Sequence, residues 1–281
     1  MPNSTQKSQV REFFDSSEGW SGKFYREIHN PFGQMLVRRK HHVLRLFRRH
    51  VDHIAGTIFD AGCGPGEYLG ELGGRGVRIF GMDASEEMIR SSGETLREKG
   101  WPDPPGLVRG DIEHVPFRSG SFDAVLCIGV LGYLEQDERA LSELHRLLRP
   151  GGHLLLNVRN LNALTSLHYS GRLKLRYLLR YGWSRLRSSV SIATHTRDGG
   201  WMSRAYNVGR LEDLVASLGF ARVEGMTFGY EFKALAKMGM SGRMIVRLET
   251  WMENLMVAMP LRFLRYAGWG YIGIFRKTPA G

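Results

Sequence analysis

The sequence predicts an α/β fold built on a doubly wound, mostly parallel sheet. Three observations carry that expectation. Short apolar runs alternate with amphipathic stretches from Thr57 to Arg159, the rhythm of a parallel sheet with helices on both faces. A glycine turn follows the first apolar run. Three of the runs close on an acid, at Asp60, Asp83 and Asp111, and ligands of such sheets sit beyond the carboxyl ends of the strands.

The elements follow in order. Residues 1–19 are polar and read as a mobile lead-in. Between Gln34 and His53, Val37, Leu44, Phe47 and Val51 recur at helical spacing with arginines between them, which predicts an amphipathic helix. "TIFDAGC" is a short buried strand, "EYLGELGGRG" a short helix stopped by glycines, and "VRIFGMD" a second strand closing on Asp83. "SEEMIRSSGETLREKG" offers Ser85 as N-cap, acids in the first turn and Gly100 as its stop. "GLVRGD" is a third strand, and "SFDAVLCIGVLGYL" a fourth strand with a loop. "QDERALSELHRLLRPGG" places Leu141, Leu144, Leu147 and Leu148 on one helical face and ends at Pro150-Gly151-Gly152; "HLLLNVR" is a fifth strand. After Arg159 the rhythm breaks, and Asn160 to Met202 fits no strand well. It returns with "VGRLEDLVASLGF", a helix from about Arg210 to Leu218, then "ARVEGMTFG", a methionine-rich helical stretch from Lys237 to Leu264, and a final strand "WGYIGIFRKT". A strand pair after an inserted segment fits a mixed sheet with one antiparallel edge strand.

Composition narrows the function classes. A chain of 281 residues suits one large domain with extensions. Its two cysteines, Cys63 and Cys127, have no metal-ligand spacing and form no disulfide framework. No metal is expected, and a reducing cytoplasm is the expected compartment. The N-terminus lacks an apolar signal core. The longest apolar run, 11 residues from Ala124, is too short to span a bilayer. Formal net charge is +11 and is unevenly placed. Arg159 to Arg197 holds eight Lys or Arg and no acid, and "RRKHHVLRLFRR" from Arg38 to Arg49 is a second cluster. Such localised charge suggests an anionic partner or a solvated basic face.

The stretch "IFDAGCGPGEYLGEL", Ile58 to Leu72, clears side chains from the turn between a strand and a helix. A dinucleotide fingerprint would place a third glycine where this chain has Glu67. A carboxylate there crowds the helix and faces a pyrophosphate with like charge. The turn instead suits a ligand that needs close approach without a phosphate cradle.

"DAGCGPGEYLGEL", "GMDAS", "GDIEHVPFRSGSFDAVLCIGVLGYL" and "LLRPGGHLLL" together resemble the successive motifs of class I S-adenosylmethionine-dependent methyltransferases, small-molecule type. The resemblance covers Thr57 to Arg159, with "YNVGRLEDLVASLGFARVEG" similar to the family's later helix and sixth strand. It implies a seven-stranded, Rossmann-like sheet with the last strand antiparallel, and S-adenosylmethionine as cofactor. It also implies residues 1–33 as an N-terminal helical extension or cap, residues 34–281 as the methyltransferase domain, and an inserted helical lid over 160–207.

The resemblance assigns cofactor roles to matching positions. Gly62, Cys63, Gly64 and Gly66 form the turn, and Asp60 can help place it and interact with the cationic methionine tail, directly or through water. Asp83, beside Ala84, can accept both ribose hydroxyls because a carboxylate has two acceptor oxygens. Asp111 can accept from the adenine amino group, with Met88 and Ile112 against the ring. Cys127 lies near the methionine tail, and Tyr25 in "FYREIHNPF" is a capping aromatic.

The sulfonium methyl is already activated, so much of the acceleration can come from positioning. A hydroxyl or carbon acceptor also needs a base. Candidates are His195 at the end of the basic insert, Tyr133 after the fourth strand, and Tyr25. The insert mixes cations with aromatics and leucines. It reads as a lid over an anionic small molecule, as an interfacial segment on lipid headgroups, or as an RNA surface. With the Met- and Trp-rich C-terminal part, the reading favours methyl transfer to a small or amphipathic acceptor. Oxygen is placed ahead of carbon or nitrogen, and RNA or a non-catalytic binding role stands as the alternative. Peripheral membrane contact is a further expectation.

Overall fold

The computed structural model describes residues 6–16, 31–51, 56–72, 76–101, 106–161, 191–195, 202–229 and 268–279, with scattered positions between 244 and 255. Nine strands are seen among the described residues: β1 (Thr57–Ala61), β2 (Arg78–Asp83), β3 (Leu107–Arg109), β4 (Phe122–Ile128), β5 (Leu148–Arg159), β6 (Ser191–His195), β7 (Met202–Tyr206), β8 (Phe220–Phe228) and β9 (Gly270–Lys277). The helices are α1 (Gln6–Ser16), α2 (Pro31–His50), α3 (Leu69–Leu72), α4 (Glu86–Glu98), α5 (Asp137–Leu147) and α6 (Val208–Ser217), with a 3-10 turn at Leu131–Tyr133.

Seven strands form one sheet in the order β3-β2-β1-β4-β5-β9-β8. Pairings β1–β2, β1–β4, β2–β3 and β4–β5 are parallel, and β9 runs antiparallel between β5 and β8. The expected mixed sheet is therefore present, with one change of position: the antiparallel strand is the last in sequence but lies inside the edge. The strand order reverses between β1 and β4, which opens a crevice at the carboxyl ends there.

Burial explains the two layers. Successive strand residues face opposite sides of a sheet. Phe59, Val125, Leu154 and Leu156 meet Leu141, Leu144 and Leu147 of α5 and Leu211 and Val215 of α6. Ile58, Leu126, Leu155 and Ile272 meet Val43, Leu46 and Phe47 of α2 and Leu96 of α4. A helix on each face buries both sides of the central strands, so β1 reads as a continuous apolar run rather than an alternating one.

Three expectations are corrected. Residues 6–16 are not a mobile lead-in but a helix docked on the sheet's crevice. The helix before β5 ends at Leu147, and β5 begins at Leu148 and runs through Pro150 and both glycines. The described part of the 160–207 insert is not helical. Ser191–His195 and Met202–Tyr206 pair as an antiparallel ribbon, while 162–190 lie outside the described residues.

Candidate functional site

The crevice between β1 and β4 is a cavity of about 690 Å³, within the usual range for small-molecule sites. Gly62, Cys63, Gly64, Asp83, Ala84, Met88, Asp111, Ile112 and Tyr133 of the expected set all line it. They come from the ends of four strands, brought together only by the sheet.

Each glycine of the turn has a distinct reason to lack a side chain. Gly62 sits at φ 76°, and a Cβ there would fall into the Val130 side chain. Gly66 sits at φ 80°, and its Cβ would come within 3.0 Å of the Ser92 Cα on α4. Gly66 therefore serves helix packing and does not line the cavity. Gly64 sits at φ 51°, and its Cβ would meet no atom within 4 Å. Gly64 also lines the cavity, so the space beside it is open to close approach from that side.

Backbone hydrogen bonds fix the turn. Gly62 N and Cys63 N both donate to Met82 O, at 2.8 and 2.9 Å. Gly64 N donates to Asp83 Oδ2 at 2.9 Å, and Ser85 N donates to Asp83 Oδ1 at 3.0 Å. Asp83 thus braces both the turn and the start of α4, yet each oxygen keeps acceptor capacity. Burial pushes its pKa up, against the pull of the Ser85, Gly64 and Ala84 amides.

Asp60 lies under the turn rather than on the cavity wall. It is 1% exposed, and neither carboxylate oxygen has a hydrogen-bond partner among the described residues. Burial first, and then the charge of Asp83, raise its pKa to about 7, with Arg39 acting the other way. An orphaned buried carboxylate beneath an open glycine turn fits a cationic ligand group above it. Cys127 is also a layer below, fully buried among core residues of β4 and α5. Burial pushes the Cys63 thiol well above its usual range, which keeps it protonated and unreactive. Glu67, the residue that argues against a dinucleotide, is buried and accepts from Lys40 Nζ at 3.1 Å. It ties the turn to α2.

Sequence reasoning expected an N-terminal helical cap but named none of the α1 residues at the site, and it missed Arg39. Lys7, Ser8, Val10, Arg11 and Phe14 of α1 line the cavity, as does Arg39 of α2. Lys7 Nζ donates to Asp111 Oδ2 at 2.8 Å and to Glu113 Oε2 at 2.7 Å. At the helix's other end, Asp15 Oδ1 accepts from Ser85 Oγ at 2.7 Å and from Glu86 N at 2.9 Å, at the α4 N-terminus. Gln6 Nε2 donates to Tyr133 O at 3.2 Å, and the Phe14 ring meets Tyr133 edge-on at 5.6 Å. The helix is fastened across the crevice at three places. For Asp111, burial acts to raise its pKa, but Lys7 and the Glu113 amide outweigh it and the net direction is down.

Tyr25 lies outside the described residues, and His195 is described only as backbone at the ribbon's end, paired with Met202. Among the described residues no group of His, Cys, Asp or Glu is placed to hold a metal, and no helix is long and apolar enough to cross a membrane.

Sheet order, glycine turn and acid-ended crevice are those of the class I methyltransferase fold, the class whose cofactor is S-adenosylmethionine. Comparison with known proteins agrees. Residues 59–156 match the family described as a methyltransferase domain. A sterol 24-C-methyltransferase of Pneumocystis carinii is 28% identical over 148 residues, covering 51% of this chain and 38% of that protein. A tRNA (carboxymethyluridine(34)-5-O)-methyltransferase of Xenopus tropicalis is 36% identical over 104 residues, covering 36% of this chain and 15% of that protein. The chain spans well under half the length of these relatives. The magnesium protoporphyrin IX methyltransferase of Synechocystis, solved with S-adenosylhomocysteine bound, superposes over 98% of this chain and 100% of its own with a TM-score of 0.62 at 17% identity.

Proposed function

We propose that this chain transfers the methyl group of S-adenosylmethionine to a small or amphipathic acceptor, with oxygen as the receiving atom. The observation that carries the reading is the two-sided wall of the cavity. Asp83 and Asp111 stand at the β2 and β3 side, while Ile128, Val130, Tyr133 and Leu134 stand at the β4 side with Val10 and Phe14 of α1 above. Polar recognition at one side and a largely apolar wall at the other, with Arg39 beside Gly129, suit a nucleoside cofactor next to an amphipathic molecule. Similarity to enzymes named for a sterol and a porphyrin supports the same class of acceptor.

In this reading the residues divide the work. Asp83 holds the ribose hydroxyls and Asp111 the adenine amino group, while Met88 and Ile112 pack on the ring. Gly64 gives clearance, and Asp60 supplies negative charge from below. When bound, S-adenosylmethionine supplies an activated methyl group. The chain's own tasks are to align the acceptor and exclude water, and α1 serves both by covering the crevice. In this reading Tyr133, which lines the cavity, orients an acceptor hydroxyl, and in its phenolate form takes up the proton. A carboxylate acceptor needs no such help.

RNA is the second reading, favoured by the charge from Arg159 to Arg197 and by similarity to an enzyme named for tRNA. One experiment separates them. The protein is incubated with methyl-labelled S-adenosylmethionine and a total cell extract, and label is followed into organic, aqueous and nuclease-sensitive fractions. Organic-phase label supports the amphipathic acceptor, and label lost to nuclease refutes it. Retained S-adenosylhomocysteine binding without label anywhere points to a non-catalytic binding protein. Tyr133→Phe should suppress turnover while cofactor affinity stays within about threefold; full turnover removes Tyr133 from proton transfer.

A further inference from the structure

The turn that carries Tyr133 is gripped from two sides. On one side are the α1 contacts from Gln6 and Phe14. On the other is Arg204 of β7, which does not line the cavity. Its Nη2 donates to Leu131 O at 3.1 Å and also meets Leu134 O and the Asp137 carboxylate. One nitrogen thus holds the carbonyls at both ends of the turn and the first residue of α5. Its Nη1 reaches back across the ribbon to Ser191 Oγ at 3.4 Å.

The surroundings fit a built contact rather than a surface pair. A Cβ on Gly132 would come within 3.2 Å of Arg204 O, so the ribbon backbone lies flush against the turn. Tyr206, fully buried, donates from its hydroxyl to Asp137 Oδ1 at 2.9 Å and accepts at its carbonyl from Leu161 N at 2.8 Å. The Arg204 guanidinium lies 5.8 Å from the centre of the Tyr206 ring. Burial pushes the Asp137 carboxyl up, against the pull of Arg204 and Tyr206. Its negative charge is therefore costly to keep where it is without the guanidinium. The guanidinium reaches the turn and Asp137 through Nη2 and Ser191 through Nη1, so it spans turn and ribbon with two nitrogens where a lysine has one.

We propose that Arg204 is a positioning residue that locks the Leu131–Tyr133 turn at the cofactor cavity and joins it to the ribbon at the end of the 160–207 insert. The proposal rests on the cofactor reading of the cavity given above. Because Gly129, Val130, Tyr133 and Leu134 form one wall of that cavity, releasing the turn should loosen the wall.

The test uses the full chain and S-adenosylhomocysteine, which needs no acceptor. Wild-type binding measured by calorimetry tests the cofactor reading itself, and no binding there would sink both. Given wild-type binding, Arg204→Ala should lose about tenfold or more in affinity, with Arg204→Lys between the two. Low-millimolar guanidinium, far below denaturing levels, should restore part of the Arg204→Ala loss, because it refills the gap between the carbonyls and Asp137. A merely structural arginine would lower the melting temperature and leave affinity unchanged, with no rescue, and that result overturns the proposal. If Arg204→Ala does not fold by circular dichroism, Asp137→Asn decides. It keeps the shape of the pair, and an affinity within twofold of wild type would refute the lock.

Discussion

Replacing Lys7 by alanine should undock α1 and shorten the residence of the cofactor. Lys7 makes two pairs of unequal value. Its bond to Asp111 joins side chains that are 37% and 40% exposed, and pairs of that kind contribute roughly 0.2–1 kcal/mol. Its bond to Glu113 meets a side chain only 2% exposed, whose Oε1 has no partner among the described residues. Removing the lysine leaves that carboxylate buried and unanswered, a loss of about 1.5–3 kcal/mol for a charged hydrogen bond. Together the docking of α1 should weaken by about 2–3 kcal/mol, or roughly 30- to 150-fold in the closed-to-open ratio. The pH dependence follows from the signs. Asp111 has its pKa lowered from 3.8, so its contribution is present above that value and is lost as pH falls through the lower, folded pKa. Lys7 is raised from 10.5 (burial opposes, the two carboxylates prevail), so its contribution is whole below 10.5 and is lost as pH rises past it. Docking should therefore be tightest across the neutral range. Hydrogen exchange of the α1 amides reports docking directly, and stopped-flow release of S-adenosylhomocysteine reports residence. If both stay within twofold of wild type in Lys7→Ala, α1 does not close the cavity and the reasoning fails.

Three further outcomes can be checked. Asp83→Ala should cost at least about 100-fold in S-adenosylhomocysteine affinity, roughly 2.7 kcal/mol. It should also lower the urea midpoint, because Gly64 N and Ser85 N lose their acceptor; unchanged affinity would remove Asp83 from the ribose role. Asp60 moves from a usual 3.8 to about 7, so the folded protein binds more protons than the unfolded chain between those values. Stability then falls as pH rises from about 4 to about 7, by up to about 4 kcal/mol. Asp60→Asn should flatten that slope relative to wild type in urea titrations, and parallel profiles would mean Asp60 ionises normally. Gly64→Ala and Gly66→Ala should part company, although both force a side chain into the left-handed region at about 1–2 kcal/mol. Calorimetry should show cofactor affinity lost chiefly in the first, and melting should show stability lost chiefly in the second, whose Cβ meets Ser92. The reverse pattern would misplace the cavity.

Much of the sheet was legible because its signals are local. Ser85 caps α4 as read, accepting from Met88 N at 3.1 Å, and the acids at the ends of β1 and β2 and just past β3 mark the crevice before any contact is known. A helical cap was expected near the N-terminus, but where it docks depends on distant partners. "QKSQVREFFDS" carries no acid in its first turn, no base in its last and no buried residue. It holds its place through Tyr133, Asp111 and Ser85, which are 127, 104 and 70 residues away. The ribbon did leave a signal. "SIATH" and "MSRAY" are short and in part β-branched, but the basic residues preceding them drew the reading toward a helical lid. Asp60 and Asp83 look alike in sequence, each an acid closing a strand. Only the fold separates a carboxylate braced by two amides from one without a hydrogen-bond partner among the described residues.

The charge surplus also changes meaning once partners are visible. The run from Arg38 to Arg49 suggested an anionic partner, yet much of it is spent inside the fold. Lys40 faces Glu67 and Glu71, Arg49 and His50 both meet Glu224, Arg45 reaches Met226 Sδ at 3.1 Å, and Arg39 turns toward the cavity. Helix α2 covers β-sheet and acids together, so its arginines hold the domain rather than advertise it. The argument for an anionic acceptor or surface therefore falls on Arg159 to Arg197 and on the cations that line the cavity, Arg39 among them. The stretch from Arg159 ends in the ribbon whose Arg204 grips the Tyr133 turn.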